Sequence, residues 1–144
     1  MKKIILILAI TLTGSFAYAQ KMSSSDVPTV VTSKFSSLYP NCKAEQWKKE
    51  KGNYETKFKQ NDTKTCVVID PNGNLVRTAT TITNSELPKS VNDYVAKNYA
   101  DNKITKAEKV IDADGTVRYE ADVNKTNLCF DVNGLFLRSE KRKS

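Results

Sequence analysis

The feature that most restricts this fold is a seven-residue pattern that occurs twice. Val67-Val68-Ile69-Asp70-Pro71-Asn72-Gly73 aligns with Leu128-Cys129-Phe130-Asp131-Val132-Asn133-Gly134, in each case an apolar run closed by an acid and an Asn-Gly pair. Further anchors keep the same order in both halves: Val27-Pro28 and Leu87-Pro88, Tyr39 and Tyr99, Tyr54-Glu55 and Tyr119-Glu120, Phe58 and Val123, Arg77 and Arg138. Ordered anchors at nearly constant spacing imply an internal duplication, which limits the fold to something two similar units can build side by side.

Each half opens with a helical pattern. Asp26 is placed to cap the first helix, with Pro28 in its first turn, where a missing N–H costs little. Val27, Val30, Val31, Phe35 and Leu38 share one face, and Leu87, Val91, Tyr94 and Val95 do so from about Leu87 to Tyr99. After each helix the spacing changes to short alternating runs separated by turn residues. Gly52-Asn53, Asn61-Asp62 and Asn72-Gly73 punctuate the first half; Asp114-Gly115, Asn124 to Asn127 and Asn133-Gly134 punctuate the second. Such residues tolerate the positive φ of tight hairpins, so three turns imply four antiparallel strands. The expected fold is α+β: two tandem repeats, each one helix followed by a four-stranded antiparallel meander, with the helices packed on one sheet face. The expected boundaries are 27–85 and 86–144, the second ending in a basic tail, with 20–26 a flexible lead and the whole one compact domain. One continuous sheet and two abutting sheets both satisfy this pattern.

Alternation assigns the faces. Tyr54, Thr56 and Phe58 point one way and Glu55, Lys57 and Lys59 the other; Tyr119, Ala121 and Val123 likewise oppose Glu120, Asp122 and Asn124. Val67, Ile69, Leu128 and Phe130 belong with the helices, leaving a face that is charged and wet at its centre, with Cys66, Val68 and Cys129 its less polar members. An antiparallel sheet can leave one face in water, and an open face is a docking surface. The candidate partner-binding residues are Trp47, Glu55, Lys57, Lys59, Glu120 and Asp122. Trp47 has two readings, an aromatic anchor or a residue packed beneath the first helix.

The N-terminus reads as a secretory signal: Lys2 and Lys3, the apolar run Ile4 to Ile10, then Ala17-Tyr18-Ala19, with cleavage expected after Ala19. Thr11, Thr13, Gly14 and Ser15 interrupt the run short of a membrane span, so residues 1–19 are expected to leave and the remaining chain to be periplasmic or secreted. Loss of Lys2 and Lys3 lowers the formal charge from +7 to +5. The remaining bases are scattered apart from Lys141-Arg142-Lys143, which disfavours nucleic acid. Cys42, Cys66 and Cys129 allow one bridge and a spare thiol, or three thiols. The pairing stays open, and with no C-x-x-C pair a redox role lacks its usual chemistry.

The chain contains no histidine, which removes Ser-His-Asp and Cys-His catalysis and the commonest zinc ligand. The acidic turns fail as calcium loops. Counting from Asp112, the sixth and twelfth positions are Val117 and Val123; from Asp70 they are Leu75 and Thr81, where glycine and glutamate are required. No catalytic residue, metal ligand or cofactor is assigned, and the chain reads as a non-enzyme.

The series Val27-Pro28, Phe35, Tyr39-Pro40, Trp47, Gly52-Asn53-Tyr54-Glu55 and Asp70 to Gly73 resembles the PepSY-like, β-lactamase-inhibitor-like proteins of bacterial envelopes. Leu87-Pro88, Tyr99, Asp114-Gly115, Tyr119-Glu120 and Asp131 to Gly134 extend the resemblance to about Arg138. Ala100 replaces a proline common in the family after the tyrosine, and the second half has no counterpart of Trp47. The resemblance implies a small periplasmic or secreted protein whose relatives by fold bind or inhibit other proteins. No inhibitory loop transfers residue by residue. The expected function is a non-catalytic module that binds an envelope or secreted protein or peptide on its open sheet face. The alternative is a small-ligand or metal-ion binder using the groove between the halves.

Overall fold

A computed structural model describes residues 20–142; the expected signal segment lies outside them. Among the described residues there are nine strands and two α-helices. The strands are β1 (Gln20–Met22), β2 (Trp47–Glu50), β3 (Asn53–Gln60), β4 (Thr63–Ile69), β5 (Leu75–Ile82), β6 (Ile104–Asp112), β7 (Val117–Val123), β8 (Thr126–Asp131) and β9 (Phe136–Lys141). The helices are α1 (Thr29–Leu38) and α2 (Lys89–Asn98).

All nine strands form one antiparallel sheet in sequence order. This corrects the expectation of two tandem repeats, each a helix followed by its own four-stranded meander. A strand precedes the first helix, because Gln20–Met22 pairs with Trp47–Lys49 along the outer edge of β2. The stretch expected as a flexible lead is thus strand β1 followed by a 3-10 turn at Ser24–Asp26. The first meander does not end at β5 either. Six residue pairs, from Arg77↔Asp112 to Ile82↔Ala107, join β5 to β6. An uncovered β5 edge would leave a row of backbone donors and acceptors without protein partners, and β6 satisfies them.

The hairpins follow from turn chemistry. Lys51-Gly52, Asn61-Asp62 and Asn124-Lys125 all adopt positive φ, as two-residue turns that match the strand twist require. At the two Asn-Gly turns the acid organises the loop. Asp70 Oδ1 accepts from the N–H of Asn72 (2.8 Å) and Asn74 (2.9 Å), and Asp131 Oδ1 from Asn133 and Leu135 (both 2.9 Å). These bonds, with the Asn74 side-chain amide foremost, hold the Asp70 carboxyl below the usual carboxylate range.

Both helices lie on the same face. The row Phe58, Thr65, Thr80, Lys109, Tyr119, Phe130 runs across paired strands and so shares one side of the sheet. Val31 and Phe35 of α1 pack there with Trp47, Tyr54, Phe58, Val67 and Ile69; Val91 and Val95 of α2 pack with Ala107, Ala121, Val123, Leu128 and Phe130. Burying a side chain such as Phe58 or Phe130 contributes roughly 2–3 kcal/mol. Both helices start later than their apolar pattern suggests. Pro28 is the N-cap, and Asp26 makes no capping bond. Val30 is half exposed and Leu38 partly so, leaving a narrower buried stripe than expected.

Candidate functional site

The helix-free face carries the charges, and it is not wet at its centre. Val110 and Cys129 are each 1% exposed there, and Val68 is buried as well. Register bulges at Val68/Ile69, Ile104/Lys106 and Cys129/Phe130 add local twist to a sheet that is already long. The outcome is a concave face. Side chains from β3, β4, β5 and β6 border one recess of about 680 Å³ together with Arg142, which follows β9. A flat sheet could not bring β3 and the end of the chain to one cavity.

The six residues named from sequence separate into three groups. Trp47 is 2% exposed and lies edge-on to Phe35, ring centroids 5.9 Å apart, so it packs in the core beneath α1. Lys57 and Lys59 line the large recess, and Glu55 with Lys57 borders a smaller one of about 280 Å³. Glu120 and Asp122 are engaged in ion pairs of the fold. Arg118 makes two 2.9 Å bonds to Asp112, through Nε and Nη2, and reaches Glu120 at 3.4 Å and Cys129 Sγ at 3.5 Å. The Asp112 hydrogen bonds come first in raising the Arg118 pKa, against partial burial. Asp122, 7% exposed, accepts from Asn127 Nδ2 at 3.0 Å and pairs with Arg142 at 2.7 Å.

Sequence reasoning missed Lys64, Lys106 and Arg142, which also border the large recess, along with Glu45 and Glu108. Lys64 was legible: carrying the Lys57/Lys59 alternation around the Asn61-Asp62 turn pairs Lys59 with Lys64. Arg142 was not, because only sheet curvature and its bonds to Asp122 and the Lys125 carbonyl bring it there.

At the floor, the Cys66 thiol is pushed up to about 12, by burial first and then by the neighbouring Glu55 and Glu108 carboxylates. It is a neutral group throughout the physiological range. Cys42, Cys66 and Cys129 are all free thiols. Among the described residues no three cysteine or carboxylate side chains gather as metal ligands do, and no helix is long and apolar enough to cross a membrane.

A sequence profile of the family described as "Putative beta-lactamase-inhibitor-like, PepSY-like" matches residues 17–77 and again 70–138. Among curated proteins none matches the chain significantly. Solved structures share the fold. A "putative periplasmic" protein from Bacteroides eggerthii is 22% identical over 79% of this chain and 88% of its own, with a TM-score of 0.71. A DUF2874 family protein from Bacteroides uniformis is 20% identical over 78% and 88%, with a TM-score of 0.69. A BLIP-like protein from Bacteroides fragilis is 18% identical over 78% and 84%, with a TM-score of 0.62.

Proposed function

Because the chain belongs to the PepSY-like, β-lactamase-inhibitor-like family, we propose that it is an exported, non-catalytic module that binds another protein or a peptide on its concave sheet face. The observation that carries this reading is the recess of about 680 Å³ opening on the helix-free face, bordered by five cationic side chains and two carboxylates. Concave sites with a few convergent polar groups are where ligands are ordinarily held. The reading of an exported protein is supported by the N-terminal signal pattern and by the periplasmic description of the Bacteroides eggerthii relative. The non-catalytic reading is supported by the absence of histidine from the chain and by the state of Cys66, whose raised pKa keeps it from acting as a thiolate nucleophile.

The test is capture from envelope extract with the chain from Gln20 onward as bait, alongside a Lys57→Ala/Lys59→Ala variant and a helix-face control, Lys34→Ala/Lys97→Ala. A partner retained by wild type and control but lost by the open-face variant is the expected outcome. A partner held equally by all three baits would remove the concave face from the function.

A further inference from the structure

We infer that the large recess is a carboxylate-binding site for an acidic peptide segment, held by Lys57, Lys59 and Lys64. This rests on the open-face reading and narrows its partner to a chain bearing closely spaced Asp or Glu side chains.

Charge balance inside the recess is the first observation. Of its five cations, two already have partners: Lys106 pairs with Glu108 and Arg142 with Asp122, each at 2.7 Å. Lys57, Lys59 and Lys64 have no carboxylate within 4.0 Å among the described residues, and of the two bordering carboxylates only Glu45 is unpaired, which leaves three free cations against one free anion. The second observation is their arrangement. Lys59 and Lys64 stand directly opposite each other across β3 and β4, a cross-strand like-charge pair that works against its own hairpin. Lys57, two positions along the same strand, adds a third positive charge on the same side. An arriving anion relieves this repulsion.

The lining also selects the kind of anion. Most of the bordering residues lie on β3 to β6, whose inner backbone donors are taken up in the ladders, and no helix N-terminus borders the recess. Compact phosphates favour backbone N–H cradles and arginine forks. Here the free donors are lysines, mobile point charges on long apolar stems. Thr81 and the neutral Cys66 thiol complete the walls. A cavity of this size holds a short stretch of peptide, and several flexible lysines match several flexible carboxylates.

The test measures anisotropy of fluorescein-labelled octaglutamate and octaglutamine on the chain from Gln20 onward, in 50 mM and 300 mM NaCl. Octaglutamate is expected to bind at least tenfold more tightly than octaglutamine, with affinity falling at high salt. Lys57→Ala/Lys59→Ala/Lys64→Ala is expected to lose at least tenfold, and Lys34→Ala/Lys97→Ala nothing. The triple variant should melt no lower than wild type, since it relieves a like-charge pair; should it melt lower, Lys64→Ala alone is expected to lose at least threefold. Equal affinity for the two peptides, wild-type binding by the lysine variants, or displacement of octaglutamate by inorganic phosphate at submillimolar concentration would each overturn the inference. A face-dependent envelope partner without octaglutamate binding would defeat this site and leave the open-face reading intact. Octaglutamate binding with no captured partner would uphold the site and the open-face reading and exclude only an envelope protein as the occupant.

Discussion

Cys66 illustrates what a single position carries beyond its place in an alternating pattern. Alternation is enough to place it on the helix-free face, paired with Lys57 on one side and Ala79 on the other. Its burial depends on the curvature of the sheet, which no local pattern encodes. Burial and two nearby carboxylates together raise its pKa to about 12, against an ordinary thiol value of about 8.5. The folded protein therefore retains a proton that the unfolded chain releases. Stability from this group is fully present below about pH 8.5 and is lost as pH rises towards 12, at about 1.4 kcal/mol per pH unit in that window. Urea melts of wild type and Cys66→Ala between pH 8 and 10.5 should show a steeper alkaline decline in the wild type. Parallel declines would mean that the thiol is as solvated in the folded state as in the unfolded one.

At the scale of elements, turns were the most legible parts and helix starts the least. Asn-Gly and Asn-Asp pairs report a backbone need directly, and each lies at a hairpin. Asp26 suggested a cap because capping residues are recognised by identity. The backbone instead makes a 3-10 turn there, and Pro28, at φ −53° and ψ 138°, delays the helix until Thr29. Sequence also could not show that the Asn-Gly turns dock on the helices. A Cβ at Gly73 would lie 2.7 Å from Val30 Cγ2 and 3.1 Å from the Val30 carbonyl oxygen, and one at Gly134 would lie 2.8 Å from Pro88 Cβ. A Cβ at Gly52 would meet nothing within 4 Å, although its φ is equally positive. Gly73→Ala combines left-handed backbone strain with displacement of α1 and should cost about 2–4 kcal/mol, whereas Gly52→Ala should cost only the strain, about 1 kcal/mol. Chemical denaturation of the two variants checks this. Equal losses would mean that α1 shifts freely away from the turn.

For the molecule as a whole, the question is whether two hydrophobic clusters with no common member behave as one structure. The duplicated pattern shows that two similar units exist in the sequence; it is silent about the junction, because strand-to-strand pairing between β5 and β6 leaves no motif. Magnitudes favour a single unit. A stretch of about 60 residues has an intrinsic stability of roughly 3–9 kcal/mol. Separating the halves would break a ladder of six residue pairs, each bond worth about 1 kcal/mol. It would also expose Val110, buried beside Ala79 across the junction, at a further cost of about 2 kcal/mol. The coupling is thus comparable to what either half holds alone, so partly unfolded forms should be scarce. Two probes can follow the halves separately in urea. Fluorescence of Trp47, the only tryptophan, reports the first cluster. Thiol labelling of Cys129, buried on β8, reports the second in a Cys42→Ala/Cys66→Ala background. The two transitions are expected to superimpose. Labelling of Cys129 at lower urea than the Trp47 transition would mean that the β5–β6 ladder does not bind the halves into one cooperative sheet, and the recess that spans the junction would then open with the second half.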